Sequence, residues 1–539
     1  MIKRTAALLA LLFVAGCGAE APEPRPAGPS SGGTLVRRME SDLNTLNFVL
    51  STTVYEKYVL SCIHDSIIEW NDHLELVPAL AKSWRIEDGG KRYTFEIDPR
   101  ATFGDGTPVR ASDVIFTLRK IVDPESQSVQ FAGLFDALDL EQTRALDDHT
   151  FVAVFREARA GQLASFNIPV LPEHVYGKGS FRDDHNETVV GSGPYRLVRW
   201  TSGQEVVLER REDYWREAPY IERIRFKVIA DDNVAWNAMK RGEIDEMKVK
   251  SDVWWSEKDS PGVSNRMEIH QFYELAYNFI AWNQKSPILA DRRVRIALAQ
   301  CLDRQSIVEN LYHGTARIIT GPFTPDQWAY DPEIPAIPFD VQGARGMLQE
   351  AGWSDGDGDG ILERDGRRLR IEILVSSGSL VSVQIGQILQ DSARQAGIEI
   401  ELSKLESATF FEKIIGGEYE GAILGLGIDP DPDPYSLFHS AQVPPVGQNF
   451  VFYSNPEVDR LLDEGRDEVD HQRRVEIYRG LHRVLHDDQP YTWVVQAASK
   501  WAVSRRVRDV RVADGFGLFL WHPGSSAWWI AAPSPGGTE

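Results

Sequence analysis

Hydrophobic and polar positions change their period several times along the chain. In IERIRFKVIA, Ile224, Phe226 and Val228 alternate with Arg225 and Lys227, the two-residue period of a half-buried strand. NVAWNAMKRGEID follows as a helix, with Val234, Ala235, Ala238 and Met239 on one face and Gly242 as its stop. EMKVK reads as the next strand. A second block is clearer. LRIEILV reads as a strand, VSVQIGQILQDSARQAG as a helix with Ile385, Ile388 and Leu389 inward, IEIELSKL as a strand, ATFFEKIIGG as a helix and YEGAILGL as a strand. This alternation predicts right-handed crossovers and a mainly parallel sheet. Near the C-terminus NPEVDRLLDEG and DHQRRVEIYRGLHRVLHDD read as helices, and PYTWVVQ as a buried strand. No repeat recurs at a solenoid period.

The last strand of the second block runs into GLGIDPDPDPYSLF. Proline has no N–H and pushes its predecessor to extended geometry, so Asp429-Pro430-Asp431-Pro432-Asp433-Pro434 ends the strand and makes a stiff loop. In open α/β sheets, ligands bind beyond the carboxyl ends of strands. Asp429 stands at such an end and is the first candidate for contact with a ligand. Its other use is to shape the turn, a common role of Asp before Pro. Asp431 and Asp433 read as loop structure and solvated charge.

The chain has 539 residues, more than one core usually holds, and its 58 basic against 80 acidic residues give a net charge of −22. That balance argues against a nucleic-acid groove or an anionic membrane face. MIKRTAALLALLFVAGC places Lys3 and Arg4 before an apolar run from Ala6 to Val14, too short to span a bilayer. The small residues Ala15-Gly16 then precede Cys17, which resembles a bacterial lipobox and makes Cys17 the expected lipidated first residue. AEAPEPRPAGPSSGG reads as a solvated tether. Cys62 and Cys301 remain. Cys301 falls in register with Val294, Ala297 and Leu298 on a core stripe, so two separate buried thiols are the better reading than a disulfide.

Catalytic signatures are poor. Gly28-Pro29-Ser30-Ser31-Gly32 formally matches a nucleophile elbow but lies in the tether, without its strand and helix. Phosphate-loop and dinucleotide fingerprints are missing. His482 and His486 stand four apart on a helix, yet Arg483 follows where a zinc protease needs Glu, so a solvated face is expected. SDGDGDGILERDG is sharper. Asp355, Asp357 and Asp359 alternate, Gly360 allows a tight turn and Ile361 offers a carbonyl, the start of a calcium loop. Gly366 stands where an EF-hand has its bidentate Glu, with Glu363 or Asp365 as substitutes. No cofactor is required, and a structural calcium ion is the candidate.

Four stretches carry a resemblance. VPALAKSWRIEDGGKRYTFEIDPRATFGDGTPVRASDVIFTLRKIVDP (77–124), GSGPYRLVRW with the following VVLERREDYW and APYIERIRFKVI (191–229), NPEVDRLLDEG (455–465) and DDQPY (487–491) occur in order. They resemble the bacterial family 5 extracytoplasmic solute-binding proteins, the oligopeptide, dipeptide and nickel receptors of ABC importers. The resemblance implies an α/β, two-lobed periplasmic-binding-protein fold of class II type, with an extra subdomain in the larger lobe and a hinge between lobes. The expected division is a signal peptide at 1–17, the tether at 18–33, lobe I at 34–59, 187–272 and 496–533, its subdomain at 60–186, and lobe II at 273–495.

It also implies a binder rather than an enzyme: a monomeric lipoprotein, anchored in the membrane and facing the periplasm or cell exterior, that passes peptides to a membrane permease. In peptide-binding members an Asp after a G-W-x-x-D strand end pairs with the peptide's α-amino group. Here the string is Gly425-Leu426-Gly427-Ile428-Asp429, with Leu426 replacing Trp. GTLVRRMESDLNTLNF is similar to the family's first segment, which would turn Glu40, Ser41 and Asp42 toward the cleft. Trp282 and Asn283 resemble a strand end bordering the cleft and hinge, with core packing as the other use of Trp282. The alternatives are a receptor for nickel chelates or oligosaccharides and, from another class, an exported hydrolase using Asp429 and Asp433.

Overall fold

The computed structural model describes residues 28–128, 130–185 and 189–531; Cys17 and the leader lie outside the described residues. One strand organises it. Tyr491–Ser504 runs through a 12-stranded sheet and pairs with different neighbours along its length. Its first part pairs with Ala276–Trp282, beyond which lie Gly421–Gly427, Arg370–Ser376 and Glu399–Leu405. Its last part pairs with Glu246–Lys248 and Met267–Tyr273, and past Glu246–Lys248 come Thr34–Met39, Arg223–Val228, Glu205–Arg210 and Tyr195–Thr201. PYTWVVQ is therefore only the first half of its strand. The rest, residues 497–504, begins with Ala497-Ala498-Ser499-Lys500, which lie where the two halves of the sheet meet.

The sheet is mixed, which corrects the expectation of a mainly parallel one. Arg370–Ser376 runs parallel to Glu399–Leu405 and Gly421–Gly427, as the helices between them require, and Thr34–Met39 runs parallel to Arg223–Val228. Every ladder to Tyr491–Ser504 is antiparallel. Ala276–Trp282 is entered from the other half of the sheet, so it runs opposite to Gly421–Gly427, with Ala276 beside Gly427 and Trp282 beside Gly421.

The helices form where periodicity and caps agree. Asp231 accepts from the N–H groups of Asn233 and Val234 to start Asp232–Arg241, and Gly242 ends it at φ +77°. Leu380–Ala396 buries Ile385 and Leu389, although Ile388 is only half-buried. Pro456–Asp467 and His471–Asp488 start at the caps Asn455 and Asp470. Within 60–186, the antiparallel strands Ala81–Glu87, Arg92–Ile97, Thr150–Val154 and Arg144–Ala145 carry the helix Ala111–Val122 on one face. Phe95, Phe151 and Phe166 of this part join one continuous core with Leu35, Ile224 and Phe226. On the other half, apolar clusters lie on both sheet faces, one around Ile373 and Leu389, the other around Phe279 and Tyr478. Among the described residues, no helix is long and apolar enough to cross a membrane.

Candidate ligand cleft

A cleft of about 510 Å³ opens between the two halves of the sheet. Glu40, Asp232 and Lys248–Ser251 form one wall, Tyr312 and Gly425–Gly427 the other, and Ala497–Lys500 the floor. Gly425–Gly427 is a strand edge with one side free. It pairs with Ala276–Asn278, but Arg370–Ser376 reaches only Gly421 and Ala422 on the opposite edge. Unpaired N–H and C=O groups on such an edge accept an extended backbone as an added strand. The glycines keep the edge bare: a Cβ on Gly427 would meet nothing within 4 Å, and one on Gly425 would meet Asn278 Nδ2 at 3.4 Å.

The Asp-Pro loop continues from this edge, and its carboxylates divide by partner. Asp431 accepts two bonds from Arg474 Nη1, at 2.7 and 3.0 Å. Asp433 accepts from Arg466 Nε at 2.8 Å and from the Tyr435 N–H at 3.1 Å. Among the described residues Asp429 has no such partner; its carbonyl oxygen is held by Gln327 Nε2 at 2.7 Å, which fixes the backbone just beyond the cleft-lining Gly425–Gly427. Surrounding protein pushes its carboxyl above the usual range. Lys57, on the helix Val54–Ile63 across the cleft, opposes that shift, and Asp433 and Asp431 add to it. Lys57 is pushed below the usual lysine range by the same desolvation and held up by Asp429. Both residues are exposed, yet protein surrounds them closely enough for this mutual effect.

A segment of 60–186 also reaches the loop. Ala160 N–H donates to the Arg466 carbonyl at 2.7 Å. A Cβ on Gly161, which sits at φ +77°, would lie 2.3 Å from Asp431 Oδ2, so only glycine allows this approach.

The residues proposed from sequence fall in different places. Glu40 lines the cleft, accepting from Tyr55 Oη at 3.2 Å with Arg38 Nη1 3.7 Å away. Ser41 is exposed beside it. Asp42 does not face the cleft: it accepts from Trp200 Nε1 at 3.0 Å, Ser202 Oγ at 2.8 Å and Gly203 N–H at 2.6 Å. Burial raises its carboxyl, and these bonds outweigh burial and bring it below the ordinary range. Trp282 and Asn283 are corrected as well. Trp282 is fully buried with its Nε1 donating to Thr492 Oγ1 at 2.9 Å, and Asn283 Nδ2 donates to the carbonyls of Gly417 and Tyr419. Their strand runs away from the cleft, so Ala276, not Trp282, is its cleft end.

His482 is buried rather than solvated. Its ring bonds Thr320 Oγ1 at 3.1 Å and accepts the Asp331 N–H at 3.2 Å, and desolvation pulls its pKa down to about 3. Cys62 and Cys301 are free, buried thiols. Carboxylate oxygens of Asp355, Asp357 and Asp359 lie within 4.8 Å of one another. They already cap their own loop: Asp355 accepts from Gly358 and Gly360, Asp357 from Asp359, and Asp359 from Ile361. Arg368 stands 2.7 Å from Asp359, and Arg345 3.7 Å from Asp355.

Three features were missed from sequence: Lys57, Lys500, and a cavity of about 500 Å³ inside the first half, walled by Lys57, His64, Trp70, Phe131, Phe519 and Trp521. Each depends on residues hundreds of positions apart, for which a single sequence carries no periodic signal.

Residues 75–445 match the family described as bacterial extracellular solute-binding proteins, family 5 Middle. The oligopeptide-binding protein AppA of Bacillus subtilis is 27% identical over 513 residues, covering 93% of this chain and 92% of that protein. Protein XP55 of Streptomyces lividans is 31% identical over 508 residues, covering 93% and 91%. The solved structure of Bacillus subtilis AppA with a nonapeptide superposes with a TM-score of 0.80 at 26% identity, covering 94% of this chain and all of that one. A two-lobed fold, a cleft between the lobes and a family match over most of the length agree: the chain belongs to the bacterial extracellular solute-binding proteins of family 5.

Proposed function

We propose that this protein is the extracytoplasmic receptor of an ABC importer, that it encloses peptides between its two lobes and that it hands them to a membrane permease. The observation that carries the reading is the bare strand edge Gly425–Gly427 leading directly to Asp429, the one carboxylate of the Asp-Pro loop without a cationic partner in contact. Such a receptor accepts varied side chains because it spends its recognition on backbone and termini. An edge strand supplies the first, and a carboxylate in a closed, low-dielectric cleft the second. The names of AppA and of its nonapeptide complex support the peptide class. We place lobe I at 34–59, 187–272 and 496–533, its subdomain at 60–186 and lobe II at 273–495, with the hinge at Tyr273–Ala276 and within Tyr491–Ser504. Native mass spectrometry after incubation with a peptide mixture tests the reading. A receptor returns intact bound peptides; fragments mean a hydrolase, and a retained metal chelate or sugar means a different solute.

Two subsidiary proposals accompany it. Cys17 is the lipidated first residue of a mature, membrane-held monomer, on the strength of Val14-Ala15-Gly16-Cys17 and the tether after it. Cys17→Ser then leaves the protein unprocessed or released, as mass spectrometry of the N-terminus and membrane fractionation will read; an unmodified wild-type N-terminus elsewhere rejects it. The loop at 355–365, with Asp355, Asp357, Asp359 and the Ile361 carbonyl, holds a calcium ion as a clip, supported by its three converging carboxylates. Chelator then lowers the melting temperature and added calcium restores it by linkage. A melting curve unchanged between chelator and millimolar calcium means that Arg345 and Arg368 already neutralise the loop.

A further inference from the structure

The two lobes are joined through the shared strand, and they meet a second time at the turn 159–162 of the subdomain. Among the described residues, the bond from the Ala160 N–H to the Arg466 carbonyl is the one backbone hydrogen bond between the subdomain and the second lobe. Beside it, Gly161 lies against the Asp431 carboxylate so closely that no Cβ fits between them.

Both sides of this contact are braced from within. On the subdomain, Arg159 bonds Asp136 Oδ1 at 2.6 Å and Glu157 Oε1 at 2.5 Å, the Gly161 carbonyl accepts the Ala164 N–H at 2.9 Å, and Gln162 Nε2 donates to the Leu134 carbonyl at 3.0 Å. On the second lobe, the Arg474 that holds Asp431 also donates through Nε to the Gly465 carbonyl at 3.1 Å. The Arg466 guanidinium lies 4.1 Å from the centre of the Tyr435 ring while it holds Asp433. A carboxylate on a free side chain would swing away from an added methyl group. Asp431 is tied in place, so the methyl group has nowhere to go.

We propose that the turn 159–162 is a clasp that holds the receptor closed, and that residue 161 must be glycine because the closed state leaves no room for a side chain. The clasp is made from backbone and from a carboxylate already paired within its own lobe, so it forms alike whatever side chains the ligand carries. It grips the loop that begins at Asp429. The segment that reads the ligand is therefore the one that closure fixes. This rests on the receptor reading and names the contact through which the subdomain takes part in it.

Glycine at φ +77° is also favoured by backbone strain alone, and Gly106 separates the two causes. It lies in the same subdomain at φ +85°, and a Cβ on it would meet nothing within 4 Å. Titration calorimetry with trialanine and with a Ser-Ala-Gly nonapeptide compares wild type, Gly106→Ala, Gly161→Ala, Asp431→Ala and the double variant Gly161→Ala with Asp431→Ala. Gly106→Ala is expected to bind as wild type does. Gly161→Ala is expected to bind both peptides at least about tenfold more weakly, because apparent affinity falls with the fraction of molecules able to close. The two alanines should melt alike, since both bear the same backbone strain. Adding Gly161→Ala to Asp431→Ala should cost little, because the carboxylate it would strike is gone. Small-angle X-ray scattering should show wild type contracting when peptide is added and Gly161→Ala contracting less.

A Gly161→Ala protein that binds no more weakly than Gly106→Ala overturns the proposal. So does an equal loss with and without the Asp431 carboxylate, which would make backbone strain the cause. If neither peptide binds wild type, it is the peptide reading that fails, and hydrogen exchange in the ligand-free protein reads the clasp by itself. The Ala160 amide must then exchange more slowly in wild type than in Gly161→Ala, and equal rates overturn the clasp.

Discussion

Replacing Asp429 by Ala weakens the binding of a free-amine peptide by about 2–5 kcal/mol, the usual result of removing one partner from an enclosed charge pair. The same peptide with an acetylated amino end binds wild type poorly and is little affected by the substitution. Asp429 is suited to this because the rest of its loop is already paired. Arg474 holds Asp431 and Arg466 holds Asp433, so those carboxylates have no charge to offer a ligand. The prolines restrict the loop before ligand arrives, which lowers the entropy lost on binding. Asp431→Ala and Asp433→Ala should therefore change loop stability more than selectivity for an amine. Because burial raises the Asp429 carboxyl and a bound ammonium keeps it ionised, affinity for free-amine peptides should fall as pH drops through the raised value. Calorimetry of the three variants with both peptide forms checks this; equal losses for amine and acetyl peptides would reduce Asp429 to a turn residue.

Glu246→Ala should cost about 3–5 kcal/mol of folding stability, because it strands a buried guanidinium. Arg37 is 2% exposed and Glu246 1%, and their side chains meet at 2.5 Å between neighbouring strands of the first lobe. The Arg37 guanidinium lies 3.8 Å from the centre of the Phe519 ring, inside the largest apolar cluster. Burial raises the Glu246 carboxyl, and Arg37 opposes that rise, so Glu246 depends on Arg37 to remain charged. The double replacement Arg37→Met with Glu246→Leu should lose much less than the single one, since apolar groups of similar size then fill the space. Urea unfolding of the two single variants and the double variant measures the coupling. A loss below about 1 kcal/mol for Glu246→Ala would mean that water reaches Arg37 and satisfies it.

The parts of the fold legible in the sequence were those set by short-range chemistry. Gly242 stops a helix, and alternating Ile224, Phe226 and Val228 make a strand, because capping and side-chain period act within a few residues. Asp429 was legible for the same reason, as a carboxylate placed next to a strand end by proline. Strand direction was not. AYNFIAW is apolar at both ends, and only its antiparallel pairing with Gly421–Gly427 shows that Ala276 meets the cleft and Trp282 the core. The division of the three loop carboxylates depends on Arg474 and Arg466, which stand 43 and 33 positions away. His482 reads as a surface residue on a polar helix until Thr320 and Asp331 close over it. Lys500 was hidden by its setting, since a lysine inside a long apolar strand gives no sign that the sheet changes partners there.

That change of partners also bears on how the molecule comes apart. The two lobes have separate apolar clusters and would, if joined only by loops, be free to melt one at a time. They share Tyr491–Ser504 instead, and its peptide groups are bonded into one lobe at Thr492 and into the other at Ala502. Neither lobe can lose its sheet without pulling at a ladder that the other still holds. Heating should therefore produce a single cooperative transition, with the amides in the middle of this strand among the last to exchange with solvent.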